Sequence, residues 1–278
     1  MPHRFHQLDV FSAVPLKGNP LAVVHAAEDL SEATMAAFAR WTNLSETTFL
    51  LPPGPGVAAD YRVRIYTPGG ELPFAGHPTL GSCHAWLAAG GVPREAGCVV
   101  QECGVGLVRI RRQGARLAFA APPLRRTGPL APALRRQIAA ALGLPEGELL
   151  RDQWVDNGPG WCAVMLRSAA QVLALRPDPA LLGELKLGVV GAQPPGQDTQ
   201  FEVRAFVPGL GVPEDPVTGS LNAGLAQWLI GAGLAPPRYV AAQGAALGRA
   251  GRVHVEQDQG QAWIGGDVVG CIEGWVAL

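Results

Sequence analysis

Two stretches of this 278-residue sequence, one in each half, repeat the same order of residue types. Residues 61–69 read YRVRIYTPG and residues 201–209 read FEVRAFVPG, so their aromatic, valine, arginine, proline and glycine positions coincide at an offset of 140. Because this offset is about half of the chain, we predict two copies of one unit that combines strands and helices. Chance similarity between two strand-turn-helix segments is the alternative interpretation.

An apolar helix is predicted to follow each copy of the repeat. Residues 76–79, GHPT, fall on residues 215–218, DPVT, at an offset of 139, and mainly apolar segments follow both. The first of these segments, residues 80–89, is apolar on nearly every side, which is typical of a helix buried in a core. Pro78 is tolerated in a first helical turn, and Gly90 ends the helix. We therefore expect a buried helix in each half, with a start that attracts anions.

The remaining pattern predicts an α+β fold of two pseudo-symmetric halves. Alternating segments such as residues 61–66 predict strands, and residues 29–42 have helical spacing. The first half is expected to span residues 1–125 and the second residues 126–278, with a final strand near 270–278 returning to the first. Pseudo-symmetry would bring the two helix starts to one cleft between the halves, and such clefts are preferred ligand sites.

Composition argues against several classes of protein. The formal net charge is −1, so the chain lacks the positive field that attracts nucleic acid or anionic membranes. No run of 18 apolar residues occurs, and the N-terminal segment has no apolar signal core. The five cysteines form an odd number and have no metal-like spacing. A reduced, cytoplasmic protein that binds no metal is therefore expected.

Glu46 is a candidate general base. It lies in the segment NLSETTFL, residues 43–50, between the end of a predicted helix and an apolar strand. A partly buried carboxylate at this place would have a raised pKa, which suits proton abstraction near neutral pH. An ordinary surface carboxylate is the alternative. The corresponding position of the second half falls near Gly183-Glu184-Leu185, where no matching motif occurs.

The two predicted helix starts carry the other candidate residues. His77 stands at the first start beside Gly76, and Asp215, Gly219 and Ser220 stand at the second. Both His77 and Asp215 could serve only as helix caps, since their residue types are acceptable there. Two carboxylates, a histidine and two helix starts in one cleft would instead hold a small polar acid and move protons on it.

Four sequence blocks resemble those of the PhzF family of isomerases, known from phenazine biosynthesis. They are QLDVF with GNPLAVV (7–11 and 18–24), SETTF (45–49), RIYTP with ELPFAGHPT (64–68 and 71–79) and EDPVTGS (214–220). The resemblance covers most of the chain and implies a diaminopimelate-epimerase-like fold. Such a fold has two similar domains, each a β-barrel-like sheet around a central helix, with the active site between them. It also implies a homodimer.

By the same resemblance, Glu46 corresponds to the general acid/base of the family. It would take a proton from one carbon of a small cyclic amino- or hydroxy-substituted acid and return it to another, without a cofactor. His77 and Asp215 would hold and polarise the polar groups of this substrate. Its carboxylate would be bound by Gly76, Gly219 and Ser220. The motifs leave open whether the substrate is the phenazine precursor dihydro-3-hydroxyanthranilate or another small acid.

Two other functions are alternatives to isomerisation. Relatives that racemise amino acids use a cysteine at each helix start, whereas the aligned positions here read Gly76 and Asp215. A thiol must be at the site to carry the proton, so two-thiol racemisation is disfavoured. A cofactor-free amino-acid epimerase and a non-catalytic small-acid binding protein remain as alternatives. In every case the expected partner is a small molecule, with no nucleic acid and no membrane.

Overall fold

The computed structural model describes residues 2–278, which form two compact units. The first contains the chain up to Ala120 together with Gly265–Leu278, and the second is Ala121–Ile264. The sequence pattern placed the boundary later, between residues 125 and 126. In the structure the backbone N–H of Ala121 donates to the carbonyl of Ala262 at 2.8 Å, which ties this segment to the second unit.

The first unit is a mixed sheet with two helices. Its strands are β1 (His3–Val10), β2 (Asn19–Val24), β3 (Thr47–Leu51), β4 (Tyr61–Thr67), β5 (Gly70–Leu72), β6 (Cys98–Cys103), β7 (Gly106–Gln113), β8 (Arg116–Ala120) and the C-terminal β17 (Val268–Val276), and its helices are α1 (Glu32–Thr42) and α2 (Gly76–Ala88). Adjacent strands follow the order β17, β1, β2, β3, β4, β6, β7, β8, with β5 beside one end of β4. The pairs β2–β3 and β4–β6 are parallel, and the others are antiparallel.

Helix α2 is buried, as its apolar sequence predicts. Every residue from Gly76 to Cys83 is buried, and the helix packs against β1, β2, β3 and β8. At Gly81 the helix lies so close to the sheet that a side chain would not fit. A Cβ at this position would lie 2.4 Å from Cδ2 of Leu21 and 3.0 Å from Cγ2 of Val10. The sheet therefore holds the start of α2 in one place, which matters for the residues that this start carries.

The second unit repeats this arrangement. Its strands are β9 (Arg151–Trp154), β10 (Trp161–Leu166), β11 (Lys186–Ala192), β12 (Phe201–Phe206), β13 (Glu214–Asp215), β14 (Arg238–Gln243), β15 (Gly251–Asp258) and most of β16 (Gln261–Gly266), and its helices are α3 (Pro132–Leu142), α4 (Ala169–Ala174), α5 (Pro179–Leu182) and α6 (Gly219–Gly231). As α2 does at Gly81, α6 approaches the sheet at a glycine, because a Cβ on Gly224 would lie 2.3 Å from the carbonyl oxygen of Val155. No helix within residues 2–278 combines the length and the apolarity needed to span a membrane.

Strand pairing confirms the repeat that the sequence predicts. Thr47 of β3 lies opposite Tyr66 of β4, and Leu187 of β11 lies opposite Phe206 of β12, so the offset of 140 holds for both members of each pair. The same offset relates the parallel pairs β4–β6 and β12–β14. The two halves thus share a hydrogen-bonding register as well as a residue pattern.

The starts of α2 and α6 are related by a different offset from the one that the sequence predicts. Helix α2 begins at Gly76 and α6 at Gly219, an offset of 143. The pairing of residues 76–79 with 215–218 at an offset of 139 is therefore wrong. The physical reason is the turn between β12 and β13, which contains a 3₁₀ turn at Pro208–Leu210 and is longer than the tight turn between β4 and β5.

Candidate active site

Glu46 lies immediately before β3, in the short connection that follows α1. Asn43 ends α1 in the left-handed conformation, with φ of 54°, and this turns the chain back towards the sheet. Thr47 and Thr48, the first residues of β3, are fully buried. The strand therefore anchors the adjacent Glu46 side chain, which is only 15% exposed. The surface-carboxylate alternative does not describe this residue.

The Glu46 carboxyl group faces His77 in the first turn of α2. Its Oε2 lies 3.5 Å from Nε2 of His77, and this oxygen has no hydrogen-bond partner among residues 2–278. Burial raises the pKa of Glu46 from the usual 4.5 to about 7, and the adjacent polar side chain of Ser45 partly opposes this shift. A carboxyl group with this pKa exchanges its proton readily near neutral pH, which a general acid/base requires.

Two residues that sequence reasoning missed complete this group. Nδ2 of Asn19, at the start of β2, lies 3.3 Å from Nδ1 of His77, and Asn19 is fully buried. Oγ of Ser45 donates to Oδ1 of Asn19 at 3.4 Å. Asn19 and Ser45 both lie in blocks that carry the family resemblance, but their contact joins residues far apart in sequence. We call Asn19, Ser45, Glu46 and His77 the Glu46 cluster.

Gly76 is the first residue of α2, as the sequence predicts. Its N-cap neighbour Ala75 is extended and offers no side-chain cap within the described chain. The first turn of a helix presents backbone N–H groups and the positive end of the helix dipole. This start is therefore suited to a carboxylate, and a role for Gly76 in binding one stays a prediction.

The second unit gathers Asp215, Gly219 and Ser220 at the start of α6. Asp215 ends β13, and its Oδ2 accepts a hydrogen bond of 2.5 Å from Oγ1 of Thr218, the N-cap residue. Gly219 and Ser220 are the first two residues of the helix, and Oγ of Ser220 accepts from Nε1 of Trp161 at 3.0 Å. A hydroxyl group that accepts a hydrogen bond can still donate its own proton, so Ser220 is suited to bind an acceptor.

The structural correspondence of the two halves changes one pairing and assigns another to a single residue. At the helix offset of 143, His77 corresponds to Ser220, while Asp215 precedes the second helix and lies in a strand. At the strand offset of 140, Glu46 corresponds to Lys186, which directly follows the segment Gly183-Glu184-Leu185 where the sequence predicted its counterpart. The Glu46 carboxyl group thus has no counterpart carboxyl group at the matching position of the second half.

The cysteines lie away from both helix starts. The first helical residues are Gly76 and Gly219, so neither start supplies a thiol. Cys83 is completely buried inside α2, and burial raises the pKa of its thiol far above the usual range. Burial likewise raises the pKa of Cys162 to about 12. Because the thiolate is the reactive form, neither buried cysteine is suited to proton transfer at neutral pH.

Comparison with known proteins shows which family the chain belongs to. The family described as phenazine biosynthesis-like protein, PhzC-PhzF, matches residues 8–274. The chain belongs to the PhzF family. It is 36% identical to antisense-enhancing sequence 1 of Schizosaccharomyces pombe over 98% of each protein. It is also 36% identical to trans-2,3-dihydro-3-hydroxyanthranilate isomerase of Pseudomonas aeruginosa, over 81% of this chain and 78% of that enzyme.

Solved structures agree with this membership of the PhzF family. A PhzF family protein from Enterococcus faecalis superposes with a TM-score of 0.83 at 26% identity, and the match covers all of both chains. A probable proline racemase from Agrobacterium radiobacter matches with a TM-score of 0.62 at 12% identity, over 99% of this chain and 93% of that one. The second likeness concerns the fold alone. Together they confirm the α+β, diaminopimelate-epimerase-like fold, and several relatives of this PhzF-family chain are named as isomerases.

Proposed function

We propose that this PhzF-family chain moves a proton between two carbons of a small carboxylic acid, with Glu46 as the general acid/base and without a cofactor. The observation that supports this proposal is the Glu46 carboxyl group itself. It is buried, its pKa is raised to about 7, and it lies 3.5 Å from His77. Burying a carboxylate costs free energy of folding, which favours a functional role for Glu46 over a purely structural one.

The proposed reaction uses one residue twice. Ionised Glu46 accepts a proton from a C–H bond of the substrate, and the electron pair of that bond enters a conjugated system that ends in a polar group. Protonated Glu46 then returns the proton to a different carbon of the same system, so that a double bond changes position. Atoms, charge and oxidation state balance within the substrate. A pKa near 7 suits this cycle because neither the loss nor the gain of the proton is strongly unfavourable.

The proposed substrate is a cyclic acid with an amino or hydroxyl substituent. This class follows from the relative named trans-2,3-dihydro-3-hydroxyanthranilate isomerase. We assign His77 and Asp215 to the polar substituents of the substrate. The start of each helix offers N–H groups that suit a carboxylate, and Ser220 adds a hydroxyl group at the second start. We assign the binding of the substrate carboxylate to Gly76, Gly219 and Ser220.

The rate should depend on pH through Glu46. Because the base must be ionised and its pKa is about 7, kcat/KM is expected to fall about tenfold for each pH unit below 7. A glutamate with its usual pKa of 4.5 would hold the rate constant down to about pH 5. The measurement is deuterium exchange of small cyclic acids, including trans-2,3-dihydro-3-hydroxyanthranilate, in heavy water across this pH range. A flat profile between pH 5 and 8 would remove Glu46 from the role of base.

Ser220 is expected to act in binding more than in chemistry. Replacing Ser220 by alanine removes one hydrogen bond to a charged group, which corresponds to an increase in KM of roughly tenfold to a hundredfold, with kcat changed much less. Ser168→Ala is the matched control, since Ser168 caps α4 in the same unit and has no proposed role in binding. An unchanged KM for Ser220→Ala in steady-state kinetics would contradict the assignment.

A further inference from the structure

Asn19 contacts the residues of the proposed reaction but has no role in it so far assigned. It is fully buried at the start of β2, where it lies opposite Val10 of β1. Each end of its side-chain amide meets a member of the Glu46 cluster. Nδ2 faces Nδ1 of His77 at 3.3 Å, and Oδ1 faces the Ser45 hydroxyl at 3.4 Å. The strand backbone thus fixes the amide between these two side chains.

The orientation of the amide bears on which nitrogen of His77 carries a proton. With Nδ2 facing the ring, the amide can only donate, so Nδ1 of His77 accepts in this arrangement and lacks a proton. The proton of the neutral ring then lies on Nε2, which is 3.5 Å from Oε2 of Glu46. Electrostatics at the other side of the ring favours the same state. An N–H group facing an ionised carboxylate is attractive, whereas a nitrogen lone pair in that place would be repulsive.

We propose that Asn19 is a positioning residue that holds His77 as the tautomer with its proton on Nε2, directed at Glu46. In this state the Nε2–H group of His77 faces the Glu46 carboxyl group and stabilises its ionised form. When Glu46 accepts the substrate proton, the ring keeps its orientation because Asn19 holds the opposite nitrogen. The effect of Asn19 on the rate rests on the proposed role of Glu46, whereas its effect on the tautomer does not.

The tautomer can be measured directly on the full-length protein. Nitrogen-15 NMR of the imidazole rings distinguishes protonated from unprotonated ring nitrogens, and the spectrum of His77→Gln identifies the His77 signals. We expect the wild-type ring to carry its proton on Nε2 between pH 7 and 8. A proton on Nδ1 of wild-type His77 would overturn the proposal, and this result needs no variant that might fail to fold.

An Asn19→Asp variant tests whether Asn19 determines the tautomer of His77. A carboxylate at position 19 accepts hydrogen bonds only, so it draws a proton onto Nδ1 of His77. We expect the Nδ1 signal to become that of a protonated nitrogen, and kcat to fall about 10- to 100-fold with a much smaller change in KM. Asn43→Asp is the matched control, because it adds the same charge in the loop before Ser45 and should leave the His77 spectrum unchanged. An unchanged spectrum in Asn19→Asp would contradict the inference.

The outcomes separate this inference from the proposed function. Loss of turnover in Glu46→Gln, with a wild-type His77 proton on Nδ1, would leave Glu46 as the base and remove the role of Asn19. Full turnover in Glu46→Gln, with the proton on Nε2, would remove the proposed reaction and leave the Asn19–His77 contact as a determinant of the tautomer.

Discussion

Replacement of Glu46 by glutamine is expected to lower kcat by about 100- to 10,000-fold, the usual contribution of a positioned general acid/base. The amide has nearly the same size and shape as the carboxyl group, but it cannot accept a proton from carbon. KM should change much less than kcat, because the shape of the site is kept. The measurement is turnover or solvent-deuterium exchange with a substrate found by the heavy-water screen.

Folding of the Glu46→Gln variant should be preserved or improved. Ionising the buried wild-type side chain costs free energy of folding, and a glutamine, which does not ionise, removes this cost. Above pH 7 the melting temperature should therefore be at least that of the wild type. Glu28→Gln is the matched control, since Glu28 is exposed in the same unit and should keep full activity. Retention of most of the rate by Glu46→Gln would exclude Glu46 as the proton carrier.

Replacement of Arg204 by alanine is expected to cost about 3–5 kcal/mol of unfolding free energy. Arg204 and Glu214 form a buried ion pair in which Nη2 lies 2.6 Å from Oε2, and both side chains are about 5% exposed. Nη1 of Arg204 also donates to the carbonyls of Val172 and Leu175, which close α4. Alanine would leave the Glu214 carboxylate buried without its charge partner, and this is the costly part of the change.

The repeat supplies a matched control for Arg204. Arg64, at the offset of 140, makes the same pair with Glu71 at 2.6 Å, but Glu71 is 41% exposed. Because water can solvate Glu71 after the change, Arg64→Ala should cost only about 1 kcal/mol. Urea denaturation of both variants gives the comparison. Equal losses would show that burial does not distinguish these two ion pairs.

A double replacement separates the charge effect from the loss of packing. Changing Arg204 to methionine and Glu214 to leucine together removes both charges and keeps apolar volume. This double variant should recover most of the stability that Arg204→Ala loses, because no uncompensated charge remains buried. Instability as great as that of Arg204→Ala would assign the loss to packing and to the α4 carbonyls.

Much of the fold could be predicted because local signals in the two halves agree with each other. The alternating residues of β4 and β12, the apolar helices and the shared register all follow from side-chain periodicity. Glu46 and His77 could be named because each stands beside a helix end or strand start. Their neighbour Asn19 could not, since no local pattern shows that it meets a ring 58 residues away.

The duplication, the buried central helices and the family pattern around Glu46 all follow from the amino-acid sequence alone. Tertiary structure decided the rest, because burial and contact between distant residues are properties of the packed chain. A longer turn between β12 and β13 moved the second helix start from Asp215 to Gly219. Burial moved the pKa of Glu46 to about 7, and the packing of β2 against α2 placed Asn19 beside His77. These two effects convert an ordinary glutamate into a candidate proton carrier.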